Sequence, residues 1–204
     1  LIVVDEQGRI IDGDRVLCIC GKYLKTNGLL ATDKITATVM SNIGLHKHLD
    51  EYGIGVDVTK VGDRYVLESM RKTGSVLGGE QSGHMIFLNY TTTGDGVLSS
   101  LQFMKAYLDS GKKLSELRDE IQIYPQALVN ARVDNAFKAA ALEDEEVKKY
   151  IADIEAKMEG TGRVLIRPSG TEPLIRVMLE GEDIDEIQGY AKQVAALISD
   201  KFGK

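Results

Sequence analysis

Two polar loops that contain glycine interrupt strand-like stretches of the sequence. The first, at 79–84, reads Gly-Glu-Gln-Ser-Gly-His and offers a carboxylate, an amide, a hydroxyl and an imidazole. Glycine lets the backbone approach a ligand closely, and a sugar ring with neighbouring hydroxyls needs such a mixed set of donors and acceptors. Glu80 can accept from two hydroxyls, while Ser82 and His84 can each donate or accept. The alternative interpretation is a polar turn that only satisfies its own backbone.

The second loop, at 167–173, reads Arg-Pro-Ser-Gly-Thr-Glu-Pro and has the donor set that a phosphate requires. A guanidinium fork, two hydroxyls and the backbone amides around a glycine come close together in sequence. A hydrogen bond to a charged group contributes roughly 1.5–3 kcal/mol, so a few of them can hold a phosphate. The alternative is a hairpin connection with its arginine in a surface ion pair. The phosphate-binding candidates are Arg167, Ser169, Gly170, Thr171 and, in the strand that follows, Arg176.

The overall composition excludes several classes of function. The 204 residues carry a net charge of −6, so there is no global electrostatic footprint for nucleic acid. No apolar run approaches the roughly 20 residues of a membrane span. Cys18 and Cys20 have no second cysteine pair to complete a metal site, and they are predicted to be buried, reduced thiols of a cytoplasmic protein.

Other candidate metal ligands are weak. Asp12 and Asp14 flank a glycine, and paired aspartates can bind magnesium, but such residues are more typical of a turn followed by a helix cap. His46 and His48 lie two apart on a predicted helix, so they point in different directions and are predicted to be solvent-exposed. The sequence therefore predicts no metal site within these 204 residues.

The hydrophobic periodicity predicts two domains. A hairpin over 1–13 precedes alternating strands and helices up to about residue 123, which is typical of a three-layer α/β domain. After Tyr124 and Pro125 the order changes to βαββα, which predicts a small α+β domain with helices on one face of an antiparallel sheet. Because Leu1 opens the chain within a strand, we expect a piece of a larger protein. The predicted helix caps are Asp14, Asn42, Asp63, Asp95 and Asp183.

The two loops, in this order and about ninety residues apart, resemble those of the α-D-phosphohexomutase family. The segments 38–42, 59–65 and 92–96, together with Gln81, are similar to bacterial members that act on glucosamine phosphates. The resemblance covers the whole chain. It implies that residues 1–13 end the second of four domains, that 14–123 form the third, and that 124–204 form a fourth domain similar to the TATA-binding-protein fold.

The resemblance also implies a role for each loop. Glu80, Ser82 and His84 would hold the sugar hydroxyls, and His84 would assist proton transfer. The five candidates of the second loop would clamp whichever phosphate is not reacting. Lys60 and Asp63 lie in a segment that, in the family, faces the same cleft.

The departures from the family pattern define what is missing. The family's phosphoserine segment and its magnesium loop have no counterpart here, and Asp12-Gly13-Asp14-Arg15 lacks the third aspartate of that loop. The resemblance therefore implies that the catalytic serine and the ligands of Mg2+ lie outside these residues and that the isolated chain is inactive.

By resemblance, the complete enzyme interconverts glucosamine 6-phosphate and glucosamine 1-phosphate through a phosphoserine and a bisphosphorylated sugar. Its expected partners are the amino-sugar phosphate, the N-terminal half of the same enzyme and, in some bacteria, a membrane diadenylate cyclase. Two alternatives stay open at this point. The parent protein can instead be a phosphomannomutase or phosphoglucomutase, or the chain can be a non-catalytic binding module.

Overall fold

The computed structural model of the chain describes residues 1–203. They divide into two compact units, the first spanning Leu1–Ile123 and the second beginning at Tyr124. The first unit is a mixed α/β layer domain and the second a smaller α+β domain. This confirms the predicted fold class. Residues 1–13 pack with the first unit, because Leu1, Val3 and Ile11 contact its core. Their assignment to a preceding domain stays a prediction.

The first unit contains a short hairpin and a four-stranded sheet with its helices. Its elements are β1 (Val3–Val4), β2 (Ile10–Ile11), α1 (Gly13–Thr26), β3 (Lys34–Thr38), α2 (Ile43–Asp50), β4 (Gly55–Thr59), α3 (Asp63–Thr73), β5 (Leu77–Gly79), β6 (Met85–Phe87), α4 (Gly96–Ser110) and α5 (Leu114–Asp119).

The sheet of the first unit has the order β4-β3-β5-β6, and helices cover both of its faces. Strand β3 runs parallel to β4 and β5, while β6 is antiparallel to β5. Ile35 and Leu77 face a large core shared with α1, α2 and α4, whereas Val66 and Met70 of α3 pack on Ile86. Since β3, β4 and β5 are parallel, their carboxyl ends lie at one edge of the sheet, where open α/β sheets bind ligands.

The helix caps agree with the sequence at three of five positions. Asn42, Asp95 and Asp183 each cap a helix by accepting from backbone amides of its first turn. The prediction for Asp14 was wrong, because Asp12 caps α1 and Asp14 is the second residue of that helix. The carboxylate of Asp14 is buried and accepts from the amide of Asn42 at 2.7 Å. Asp63 also lies inside its helix, one residue after the capping position.

The prediction that His48 is solvent-exposed was wrong. Its side chain is 7% exposed, and its ring centroid lies 5.2 Å from that of Tyr52. Burial lowers the pKa of His48, and the nearby ammonium of Lys22 lowers it further. The imidazole is therefore neutral in the folded chain at pH 7.

The two cysteines lie on α1 and are buried as free thiols. Burial raises the pKa of Cys20 to about 12 and raises that of Cys18 as well. Both sulfurs are therefore packing groups of the core rather than nucleophiles. Within residues 1–203, no helix combines the length and the apolar character that crossing a membrane requires.

The second unit is an antiparallel sheet with helices packed on one face. Its elements are β7 (Gln126–Arg132), α6 (Lys138–Glu143), α7 (Glu145–Lys157), β8 (Arg163–Pro168), β9 (Leu174–Glu180) and α8 (Ile184–Phe202), and the strand order is β7-β9-β8. Alternate residues of β9, Ile175, Val177 and Leu179, pack with Val194 and Ile198 of α8. The other alternate residues, which include Arg176 and Glu180, therefore lie on the opposite face.

The depressed pKa of His48 predicts a pH-dependent stability of the first unit. The unfolded chain, with an imidazole pKa near 6.5, takes up a proton that the folded chain resists. The stabilising contribution is therefore present above this value and is lost as the pH falls through the lower, folded-state pKa. Between about pH 7.5 and about pH 5.5, we expect wild type to lose more unfolding free energy than His48→Gln. Denaturant titrations followed by the methyl signals of Leu45 and Leu49 measure this difference.

His46→Gln is the matched control, because His46 lies on the same helix but is less buried. A changed pH dependence in this variant would assign part of the loss to His46. Equal slopes in wild type and His48→Gln would show that His48 is not the group responsible.

Candidate functional site

The candidate sugar loop follows β5, and its backbone closes a tight turn into β6. The amide of Glu80 donates to the carbonyl oxygen of His84 at 3.0 Å, and that of Gly83 donates to Glu80 at 2.9 Å. Gly83 has a φ of 93°, a left-handed conformation that favours glycine. The turn therefore lies at the edge formed by the carboxyl ends of the parallel strands, next to the loop that follows β4.

Two other segments hold this turn in place. The amide of Gly62, in the loop after β4, donates to Oε1 of Glu80 at 3.0 Å. The amide of Gly13, the first residue of α1, donates to the carbonyl oxygen of Gln81 at 3.0 Å. Oε2 of Glu80 makes no hydrogen bond within residues 1–203. One oxygen of the carboxylate is thus used for positioning, and the other is available to accept from a ligand hydroxyl.

The imidazole of His84 lies against Gly94 and near the carboxylate of Asp63. A Cβ atom at position 94 would lie 2.3 Å from Nε2 of the imidazole, so the ring fits only against a glycine. Nε2 is buried and makes no hydrogen bond in the described part of the chain, and Oδ2 of Asp63 lies 3.7 Å away. A pocket of about 90 Å³ adjoins the ring; its lining includes Gly83, Asp95 and Ser99. Nε2 is thus a polar atom without a hydrogen-bond partner in the described residues, next to a small pocket.

All five sequence candidates of this unit lie in, or directly next to, two adjacent loops. Glu80 and His84 meet the loop that carries Lys60 and Asp63 through the Glu80–Gly62 hydrogen bond and the His84–Asp63 contact. Ser82 lies at the exposed tip of the turn, and Lys60 is also exposed. Among the described residues, neither of these two side chains makes a hydrogen bond, so both are available to a ligand.

The candidate phosphate loop joins β8 to β9. Ser169 is 6% exposed; its amide donates to the carbonyl oxygen of Leu174 at 2.9 Å, and its Oγ accepts from the amide of Glu172 at 3.2 Å. Gly170 and Thr171 are exposed at the tip. The hydroxyl of Ser169 thus shapes the loop and keeps its own proton for donation.

Two arginines lie side by side at the base of this loop. Arg167 of β8 is the register partner of Arg176 of β9, so both side chains lie on the sheet face opposite the helices. Arg176 donates to Oε2 of Glu172 at 3.0 Å. Arg167 makes neither a hydrogen bond nor an ion pair within residues 1–203. Its guanidinium fork is therefore available, whereas that of Arg176 is shared with a carboxylate.

Lys138, which the sequence did not indicate, also contacts this loop. It begins α6, and its Nζ donates at 2.6 Å to the carbonyl oxygens of both Ser169 and Glu172. Thirty-one residues separate it from Ser169, so no local pattern could have revealed the contact.

A larger cavity, of about 480 Å³, lies among α1, α2, α4 and α5 and contains none of the predicted site residues. Its ammonium groups, Lys22 and Lys112, both pair with Glu120. These internal ion pairs make it a poor match for a phosphate, so each of the two loops remains the candidate site of its own unit.

The two aspartates near the start of the chain have other partners in the fold. Within residues 1–203, no group of three His, Cys, Asp or Glu side chains is placed to hold a metal ion. Asp12 caps α1 by accepting from the amide of Arg15 at 3.1 Å, and Asp14 accepts from Asn42. Both aspartates therefore have structural partners.

Models of known protein families match most of the chain. Residues 12–124 match alpha/beta/alpha domain III of phosphoglucomutase/phosphomannomutase, and residues 128–197 match the C-terminal domain of the same family. The chain belongs to the phosphoglucomutase/phosphomannomutase family. The resemblance inferred from the two loops is thereby confirmed.

Individual members of this family are similar over the whole chain. The phosphoglucosamine mutase of Streptococcus sanguinis is 54% identical over 203 residues, which cover 100% of this chain and 45% of that protein. The phosphoglucosamine mutase of Thermoanaerobacter pseudethanolicus is 55% identical over 99% of this chain and 45% of that protein. The chain thus spans about half the length of the curated relatives it matches.

Solved structures of family members share the fold. An N-acetylphosphoglucosamine mutase of Aspergillus fumigatus superposes with a TM-score of 0.79 at 17% identity, covering 98% of this chain and 45% of that chain. A phosphoglucomutase/phosphomannomutase family protein of Burkholderia thailandensis gives 0.72 at 22% identity, over 98% of this chain and 45% of that chain.

The contact between His84 and Gly94 yields a test of the sugar loop. Gly94→Ala places a methyl group where the imidazole lies, so we expect the ring to move and its NMR signals to shift. Gly189→Ala is the control, because it lies on α8 of the second unit and a Cβ there meets nothing within 4 Å. NMR spectra that follow the imidazole protons of His84 measure both effects. Unchanged signals in Gly94→Ala would contradict the packing of His84 against Gly94.

The pair between Glu172 and Arg176 yields a second test. Since a carboxylate competes with phosphate for a guanidinium fork, Glu172→Gln should tighten the binding of inorganic phosphate by roughly three- to ten-fold. Glu155→Gln, an exposed position on α7, removes the same charge elsewhere and should leave the affinity unchanged. Phosphate titrations followed by the amide signal of Gly170 provide the dissociation constants. Weaker binding in Glu172→Gln would mean that Glu172 orients Arg176 instead of competing for it.

Proposed function

We propose that this chain is the sugar- and phosphate-binding half of a phosphoglucosamine mutase, which interconverts glucosamine 6-phosphate and glucosamine 1-phosphate. The observation that carries the proposal is the 54% identity to the Streptococcus sanguinis phosphoglucosamine mutase across 100% of the chain, both loops included. The alternative parent enzymes, phosphomannomutase and phosphoglucomutase, belong to the same family, but the relatives above that share more than half of their residues with this chain are phosphoglucosamine mutases.

The loop at 79–84 binds the sugar hydroxyls in this proposal. The free Oε2 of Glu80 accepts from a hydroxyl, and the exposed Ser82 donates or accepts at the tip. His84 holds or transfers a proton at Nε2, and Oδ2 of Asp63 lies 3.7 Å from that nitrogen. The exposed ammonium of Lys60 adds a donor at the same edge of the sheet.

The loop at 167–173 binds the phosphate that is not reacting. Arg167 offers a free bidentate fork, and Arg176 contributes once the phosphate displaces Glu172. The hydroxyls of Ser169 and Thr171 and the amide of Gly170 complete the donor set. Each bond to the charged phosphate contributes roughly 1.5–3 kcal/mol, which explains how a chain with a net charge of −6 holds an anion.

The reaction requires groups beyond this chain. A phosphoserine of the N-terminal half donates its phosphoryl group to the free hydroxyl of the sugar phosphate, giving a bisphosphorylated sugar. After the sugar reorients, its other phosphate returns to the serine. The loop at 167–173 therefore binds each of the two phosphates in turn. Because it binds them mainly through charge, it can accept a phosphate at either end of the sugar.

Magnesium belongs to the proposed complete enzyme and not to these residues. An N-acetylphosphoglucosamine mutase of Aspergillus fumigatus has been solved with GlcNAc-6P and magnesium. When bound, the ion neutralises charge on the transferred phosphoryl group. The contribution of this chain is positioning. The association with a membrane diadenylate cyclase stays a prediction from the resemblance.

A chimera tests the proposal. The C-terminal 45% of the Streptococcus sanguinis enzyme is replaced by this chain, and turnover is measured with glucosamine 6-phosphate, glucose 6-phosphate and mannose 6-phosphate. We expect the glucosamine phosphate to be preferred, because the chain supplies both substrate-binding loops. The chain alone should show no turnover. Preference for glucose or mannose phosphate would favour the alternative parent enzymes, and turnover by the chain alone would contradict the proposed division of labour.

A further inference from the structure

Lys138 is a buried cation beneath the phosphate loop. Its side chain is 9% exposed, and Nζ donates to the carbonyl oxygens of Ser169 and Glu172, both at 2.6 Å. These carbonyls lie at the two ends of the exposed tip formed by Gly170 and Thr171. One ammonium group therefore spans the base of the loop.

The charge of Lys138 has no acidic partner among the described residues. No carboxylate lies within ion-pair distance of Nζ, so two neutral carbonyl groups carry the whole interaction. Lysines are almost never this deeply buried unless they are paired with an anion. Elsewhere in the same sheet the chain does neutralise a cation: Arg163 donates to the fully buried carboxylate of Glu180 at 2.6 Å.

The hydrogen bonds of Lys138 also fix the direction of one backbone donor. In a planar trans peptide, the carbonyl of one residue and the N–H of the next point in opposite directions. Because the carbonyl of Ser169 points to Lys138, the N–H of Gly170 points away from it. The second carbonyl, that of Glu172, precedes Pro173, which has no N–H. Of the two contacts of Lys138, only the one with Ser169 therefore orients a backbone N–H, that of Gly170, towards the exposed side of the loop.

We propose that Lys138 is a positioning residue of the phosphate loop, holding the Gly170 N–H outward and supplying a buried counter-charge to the bound phosphate. The inference rests on the proposed phosphate-binding role of this loop. A phosphate bound at the tip would be the anionic partner that Lys138 lacks among the described residues. Only the backbone of the loop would lie between the phosphate and the ammonium group. Binding and loop order are thereby coupled through one side chain.

The experiment uses the 204-residue chain with inorganic phosphate as the probe. Lys138→Met keeps most of the side-chain volume without the charge, and Lys138→Arg keeps the charge. Lys149→Met, at an exposed position of α7, is the control for losing one positive charge. NMR titrations give the dissociation constant of phosphate, and amide hydrogen exchange reports the order of residues 169–174.

We expect Lys138→Met to weaken phosphate binding by about ten-fold or more and to speed amide exchange in the loop by about ten-fold. Lys138→Arg should recover most of the affinity, to within about three-fold of wild type. Lys149→Met should match wild type in both readouts. Equal affinity and equal exchange in Lys138→Met and wild type would overturn the role of Lys138, and Lys138→Arg as weak as Lys138→Met would overturn the counter-charge.

A measurement on the unsubstituted chain covers the case in which Lys138→Met does not fold. The ε-carbon signal of Lys138 should shift with the same phosphate midpoint as the amide of Gly170, while that of Lys149 stays in place. A stationary Lys138 signal beside a shifting Gly170 signal would contradict the inference alone. If neither signal responds to phosphate, the proposed function of the loop itself is contradicted.

Discussion

The hydrogen bond from the amide of Gly13 to the carbonyl oxygen of Gln81 joins the start of helix α1 to the sugar loop. At this point the helix backbone approaches so closely that a Cβ on Gly13 would lie 2.1 Å from the carbonyl oxygen of Glu80. Helix α1 is in turn fixed by the core through the buried side chains of Leu17 and Ile19. The packing of helix α1 therefore sets the position of the loop. Only a glycine at position 13 allows the helix backbone and the loop backbone to approach this closely.

The same principle operates in the second unit with a different donor. A loop that offers its side chains to a ligand still has backbone carbonyls that need partners. In the sugar loop, a helix amide provides one such partner, and the amide of Gly62 holds the Glu80 carboxylate. In the phosphate loop, the ammonium of Lys138 provides for two carbonyls at once. Each loop is thus shaped by a donor from a distant part of the sequence, and its tip is left for the ligand.

This division explains what the sequence could and could not predict. The loop residues, the caps Asn42 and Asp95, and the alternation of strands and helices are all local patterns, and they were predicted. An aspartate that caps a helix and an aspartate whose carboxylate is buried look alike in a sequence. Only the tertiary hydrogen bond from the amide of Asn42 shows that Asp14 is the second kind. The helices α5 and α6, of six residues each, are too short to show a hydrophobic period.

The long-range donors were beyond sequence analysis for a related reason. His48 is a separate case: its neighbour Tyr52 lies only four residues along the chain, and its burial depends on how α2 packs into the core. Lys138 lies in a stretch of alanines with no chemical signature, and its contact with Ser169 exists only once the sheet has formed. Types and spacings predict what a loop can bind, whereas the groups that hold the loop depend on packing.

The strand pair β8–β9 shows how an acidic chain builds a cationic site. At one end, Arg163 is neutralised by the buried carboxylate of Glu180, which also accepts from the side-chain amide of Gln126. At the other end, Arg167 and Arg176 face the same side, and the one carboxylate that pairs with them among the described residues is the exposed Glu172, which contacts Arg176. Because charges more than about 10 Å apart are largely screened at physiological salt, the net charge of −6 has little influence there. An approaching anion therefore responds to the local charge of the β8–β9 hairpin. Arg163 is paired at the far end of the strands, whereas two arginines share one carboxylate at the loop, so the loop keeps a net positive charge.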